Sequence, residues 1–228
     1  LRKLGLGSVV ALVAASGFIP GCAENESSLF IFGFKAPSDP PACLIDLTTT
    51  GGIFLAGGTL DVELTTTYIG YVLVQNQLVA RGSKEQVRTE TSNIQITQAQ
   101  ITIEDVSGTG ITSYTVPATG MATVGATGYL SAILIDPTTG ASYQKLLAGA
   151  AKGTQKLLVS KVKVFGRTLG GTEIASNEVA FPINVCYGCL IRYHVGQTSD
   201  CEPSADATTD ELPCRIGQDD LVDCRLLQ

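Results

Sequence analysis

The chain has 228 residues with 15 basic and 21 acidic side chains, one histidine, seven cysteines and no tryptophan. A formal charge of −6 without clustered lysine and arginine argues against a nucleic-acid partner, because phosphate recognition needs a basic patch. The aromatic share of 6% argues against a carbohydrate-stacking surface.

The first 22 residues, "LRKLGLGSVVALVAASGFIPGC", begin with Arg2 and Lys3, run through an apolar core from Val9 to Ile19 and close on Ile19-Pro20-Gly21-Cys22. This order of charge, apolar run and small residue is that of a secretory signal. The run breaks at Pro20-Gly21, short of the roughly 20 apolar residues that a hydrocarbon core about 30 Å thick requires. The ending resembles the lipobox of bacterial lipoproteins. That resemblance implies removal of residues 1–21 and a diacylglyceryl group on the thiol of Cys22. Each buried methylene of such an anchor contributes about 0.8 kcal/mol, so two or three acyl chains hold stably. Ala23 stands where an aspartate serves that family as an inner-membrane retention signal, which implies the outer membrane. Losing Arg2 and Lys3 leaves 13 basic against 21 acidic residues, a mature charge of −8.

Residues 22–28 read as a lipidated tether, 29–185 as a β-sandwich and 186–228 as a cysteine-rich acidic tail. In "TLDVELTT", Leu60, Val62 and Leu64 alternate with Asp61 and Glu63, the period of a half-buried strand. The period returns at Leu158, Val162 and Val164, opposite Lys161 and Lys163, and again at Val179, Phe181, Ile183 and Val185. In "NIQITQAQITIED", Ile94 and Ile96 have one parity and Ile101 and Ile103 the other, so a bulge or a change of sheet lies between them. "YIGYVLVQ" and "GYLSAILID" are apolar on both parities and read as central strands covered on both sides. Gly51-Gly52, Gly57-Gly58, Gly170-Gly171 and "PTTG" at 137–140 read as turns. Tyr143, Leu146, Leu147 and Ala150 have helical spacing and predict one short helix ending near Gly153. The fold class expected is therefore all-β, an immunoglobulin-like sandwich with one short helix, with a barrel as the alternative.

Cys22 aside, six cysteines remain: Cys43, Cys186, Cys189, Cys201, Cys214 and Cys224. An even number in an exported chain reads as three disulfides. No metal is expected, because Cys186-x-x-Cys189 has no second C-x-x-C and His194 is the single histidine. A strand running on to this pair would point the two cysteines to opposite faces. They would join only across a sharp turn at Tyr187-Gly188, so they are expected to bridge to different partners; Cys201 and Cys214 enclose an acidic loop and are the expected local pair, which leaves Cys43 and Cys224 for Cys186 and Cys189 in either order.

The tail carries Asp200, Glu202, Asp206, Asp210, Glu211, Asp219, Asp220 and Asp223. Calcium takes six to eight oxygen ligands, but the spacing matches no calcium loop, and a solvated, disulfide-tied acidic loop is the expectation. No nucleophile elbow, phosphate loop or HExxH occurs, and His194 lies between framework cysteines, so no enzymatic activity and no cofactor are expected. The segments "NQLVARGSKEQVRTETSNIQI" and "KVKVFGRTLGGTEIASNEVAFPINVC" resemble uncharacterised exported lipoproteins of Gram-negative bacteria that end in a cysteine-rich tail. The resemblance implies placement and fold and no particular activity. The expectation is a membrane-anchored module of the cell envelope that binds an envelope or surface protein. A structural scaffold is the alternative, ahead of a calcium-binding or enzymatic domain.

Overall fold

The period-two runs form the strands. The computed structural model describes residues 28–38, 40–48, 51–83, 88–151, 153–193 and 212–227. In chain order the elements are β1 (Leu29–Lys35), β2 (Phe54–Leu55), β3 (Gly58–Asp61), β4 (Tyr68–Asn76), β5 (Ile94–Asp105), β6 (Gly110–Ala122) and β7 (Thr127–Ile135). Then come α1 (Pro137–Ala148), β8 (Gln155–Thr168), β9 (Glu173–Cys186), β10 (Ile191–Arg192), β11 (Val222–Asp223) and a 3-10 turn at Cys224–Leu226. The chain is all-β with one short helix.

Hydrogen bonding follows the order β6-β5-β8-β9-β1-β4-β7, with β2 on β1 and β3 on β9. Two layers are joined into this one path where Leu29 of β1 pairs in parallel with Ser176 of β9. The path doubles over. Ser160 of β8 donates to the Leu134 carbonyl of β7 (2.6 Å), and Tyr114 of β6 donates to that of Ile133 (2.9 Å). Between the layers lie Ile31, Val72, Val74, Ile101, Leu130, Leu134, Val162, Phe181 and Ile183, all buried.

The parity change in β5 is a bulge. Ile94, Ile96, Ala99, Ile101 and Ile103 are all buried because the register shifts between Ile96 and Gln98 against both β6 and β8. Three expectations need correction. "PTTG" is the first turn of α1: Asp136 caps it, accepting from the N–H groups of Thr138 (2.9 Å) and Thr139 (3.0 Å), and Pro137 needs no N–H at that position. β7 ends the path and covers one face only, with Tyr129 exposed on the other. In "LDV", Leu60, Asp61 and Val62 are all buried, because the strand stops at Asp61 and the chain turns under the tail.

The strands give the molecule two ends. At one, Ser28 enters β1 beside residues 77–83, 88–93, 123–126 and 169–172. At the other lie residues 36–38, 40–48, 51–57 and 62–67, α1, the segment 187–193 and the described tail, 212–227.

Candidate functional site

The buried polar groups gather where the tail meets β3 and β9. Asp61, at the end of β3, is fully buried, and its carboxylate accepts from the N–H groups of Gly188 (2.7 Å), Leu190 (2.8 Å) and Glu63 (3.0 Å). Gly188 adopts φ 67°, a conformation open to glycine, so the chain reverses immediately after β9. That reversal brings Cys186 and Cys189 together as a disulfide with Cα atoms 5.9 Å apart. The expectation that these two bridge to different partners is therefore overturned by the sharp turn at Tyr187-Gly188.

The second bridge joins Cys43 to Cys214 (Cα–Cα 5.4 Å), so the expected Cys201–Cys214 pair is overturned as well. Cys224 is also disulfide-bonded. Cys22, Cys201 and His194 lie outside the described residues, as do Asp200, Glu202, Asp206, Asp210 and Glu211.

Past Cys214 the tail docks on the domain. Gln218 forms a two-way amide clasp with Ile69, accepting from its N–H (3.0 Å) and donating to its carbonyl (3.1 Å). Asp219, at φ 61°, accepts from Thr59 N–H (2.8 Å) and the Tyr68 hydroxyl (2.8 Å), and its own N–H donates to the Thr59 carbonyl (3.0 Å). Burial pushes the Asp219 carboxyl above the ordinary carboxylate range, against the Thr59 and Tyr68 hydrogen bonds. Burial and the nearby Asp219 charge also raise the Tyr68 phenol. Arg215 lies over the Tyr71 ring and donates to its hydroxyl (2.7 Å). Asp223 is held by Arg225 (2.7 Å) and faces Arg192 (3.8 Å). The solvated acidic loop expected of the tail thus does not describe residues 218–223, whose Gln218, Val222 and Asp223 are buried.

On the far side of this region Lys35 is buried, yet its ammonium donates to the carbonyls of Asp46 (2.7 Å), Thr48 (2.5 Å) and Gly51 and lies 4.7 Å from the centre of the Phe54 ring. Three carbonyls match the three N–H donors of a lysine, so the charge is satisfied without a carboxylate.

Among the described residues, one cluster has the composition of a metal centre: ligand atoms of Asp61, Cys186 and Cys189 all lie within 4.8 Å of one another. Its sulfurs are bonded to each other and its carboxylate oxygens are engaged by three backbone donors. The arrangement acts as a structural latch. The cavity between Phe34, Tyr68, Phe181 and Asp219 has about 20 Å³, room for a water molecule. Two open grooves are larger. One of about 490 Å³ runs beside the start of α1 between Ile111, Tyr114, Thr138 and Tyr143. Another of about 430 Å³ lies at the opposite end between Ser28, Val79, Arg81 and Gly170.

Sequence patterning did not single out Lys35, Tyr68 or Gln218, and it placed Asp61 on an outward face. The local signal available was Asp61 between Leu60 and Val62, a carboxylate within an apolar trio. Two of its three partners, Gly188 and Leu190, lie 127 and 129 residues away and leave no local trace.

No family model and no curated protein matches the chain. Among solved structures it is similar to the solution structure of a candidate late embryogenesis abundant (LEA) protein, at 14% identity and a TM-score of 0.31. The match covers 55% of this chain and 70% of that one. Among the described residues no helix is long and apolar enough to cross a membrane.

Proposed function

We propose that this chain is a lipid-anchored protein of the bacterial cell envelope, held on the outer membrane through Cys22, whose β domain binds an envelope or surface protein. The observation that carries the reading is the segment "FIPGC", which follows a charged start and an apolar run and leaves five positions between Cys22 and the described fold. Disulfides at Cys43–Cys214 and Cys186–Cys189 support an oxidising compartment. The groove beside α1 supports recognition, because it lies at the end of the domain away from the tether and exposes Ile111 at its rim.

The expected outcome for Cys22→Ser is loss of palmitate-analogue labelling together with retention of the precursor or release of a soluble protein. Labelling that persists in the variant would refute the anchor. A pull-down of envelope proteins with the acylated chain is expected to recover a partner that Ile111→Arg loses. Recovery of nothing beyond a Cys22→Ser control would favour a scaffold instead.

A further inference from the structure

We infer that the end of the domain carrying Ser28 is itself a membrane-contact surface, with Val79 and Leu169 seated among lipid headgroups and Arg81, Arg88 and Arg167 facing anionic lipid. The inference rests on the proposed anchor at Cys22. Six residue steps separate Cys22 from Ser28, and a fully extended chain covers at most about 3.6 Å per step, so this end stays within roughly 20 Å of the bilayer surface.

The side chains there suit such a surface. Val79 is 81% exposed and Leu169 51%, on neighbouring loops tied together by hydrogen bonds from Leu169 N–H to the Asn93 carbonyl and from Gly170 N–H to that of Thr91. The groove between the loops reaches Ser28, where the tether emerges. Arg81, Arg88 and Arg167 are exposed around it. Among the described residues the acids at this end are Glu90 and Glu173, and the Glu90 carboxylate is engaged by the N–H groups of Arg81 (2.9 Å), Gly82 (2.8 Å) and Ser92 (2.7 Å). Asp46, Asp105, Asp136 and Asp220 lie at the opposite end. Arg192, Arg215 and Arg225 lie with those acids, so the basic feature of the tether end is local: three exposed arginines stand against two described acids, one of them engaged by backbone donors, in a chain of mature charge −8. The anchor and this local arginine group favour the same orientation, which presents the groove beside α1 to the aqueous side.

The chain contains no tryptophan, so a single introduced tryptophan is an unambiguous reporter. Acylated full-length Val79→Trp, Leu169→Trp and Val106→Trp proteins would be reconstituted into vesicles of phosphatidylcholine and phosphatidylglycerol containing brominated lipid. Val106 is 71% exposed on a loop at the acidic end, so this control matches any preference of tryptophan itself for the interface. Brominated lipid is expected to quench Val79→Trp and Leu169→Trp about twofold, as for side chains at headgroup depth, and to leave Val106→Trp unchanged. Arg81→Glu with Arg88→Glu in the Val79→Trp chain is expected to weaken that quenching. Protein that floats with vesicles but shows equal quenching at Val79→Trp and Val106→Trp overturns the contact surface alone. Quenching unaltered by the arginine replacements overturns the role of charge. Protein that fails to float overturns the anchor, and the contact surface with it.

Discussion

Asp61 and Asp219 are both carboxylates withdrawn from water, and their surroundings give them different behaviour. Asp61 accepts three backbone N–H groups whose only described acceptor is its carboxylate. Asp61→Ala leaves all three without this acceptor, but only the Leu190 donor is buried, at a cost of about 1–3 kcal/mol, so a loss of about 2 kcal/mol is expected in urea denaturation. A loss below 1 kcal/mol would mean that the turn after β9 finds other acceptors. Asp219 keeps its proton to higher pH in the folded protein than in the unfolded chain because burial outweighs its two hydrogen bonds. The folded state then binds more protons between the unfolded value, about 4, and the raised folded value, so stability is greatest below this window and falls as pH rises through it. Asp219→Asn cannot ionise. Wild-type stability is therefore expected to fall relative to Asp219→Asn as pH is raised through the window, by denaturant titration at several pH values. A pH-independent difference would show that Asp219 ionises as an ordinary carboxylate.

At the scale of elements, α1 shows how packing reverses a local preference. Alanine is favoured over glycine inside a helix by about 1 kcal/mol. At Gly140, however, a Cβ would run into the Thr66 carbonyl, so the helix would have to move off the turn that follows β3. Gly140→Ala is expected to destabilise by about 2 kcal/mol, the usual scale of overpacking. Gly149, at the C-cap, meets nothing within 4 Å and has φ −96°, so Gly149→Ala is expected to be neutral or slightly stabilising. Calorimetric melting of the two variants decides this, and a stabilised Gly140→Ala would show that α1 is loosely docked. The strands were legible for a physical reason: alternation in β8 and β5 reports burial of one face, and the bulge in β5 announced itself as a change of parity. The start of α1 was hidden because Pro137 and Gly140 are turn formers by composition. Their positions, one at N1 and the other in close backbone contact, are what make them suit a helix.

At the scale of the whole molecule the two disulfides that join described cysteines have unequal weight. Cys43–Cys214 joins residues 171 apart, and Cys186–Cys189 residues 3 apart. Loop-closure entropy predicts a loss of about 5 kcal/mol for Cys43→Ser with Cys214→Ser and about 2 kcal/mol for Cys186→Ser with Cys189→Ser. Denaturation of the two double variants measures the difference, and peptide mapping of the unreduced protein is expected to find both bridges. Equal losses would mean that the tail stays docked through Gln218 and Asp219 without its covalent tie.

The sequence by itself determined the strand-forming runs, the predominance of sheet and the presence of one short helix, because these follow from side-chain periods of two and 3.6 within one segment. It also marked the cysteines as a set. Only the tertiary structure decided which of them meet, that Asp61 faces inward, that the tail clasps β3 and β4, and that Arg81, Arg88 and Arg167 gather at one end. Those outcomes depend on distances between residues far apart in the chain, and a one-dimensional pattern carries no measure of them.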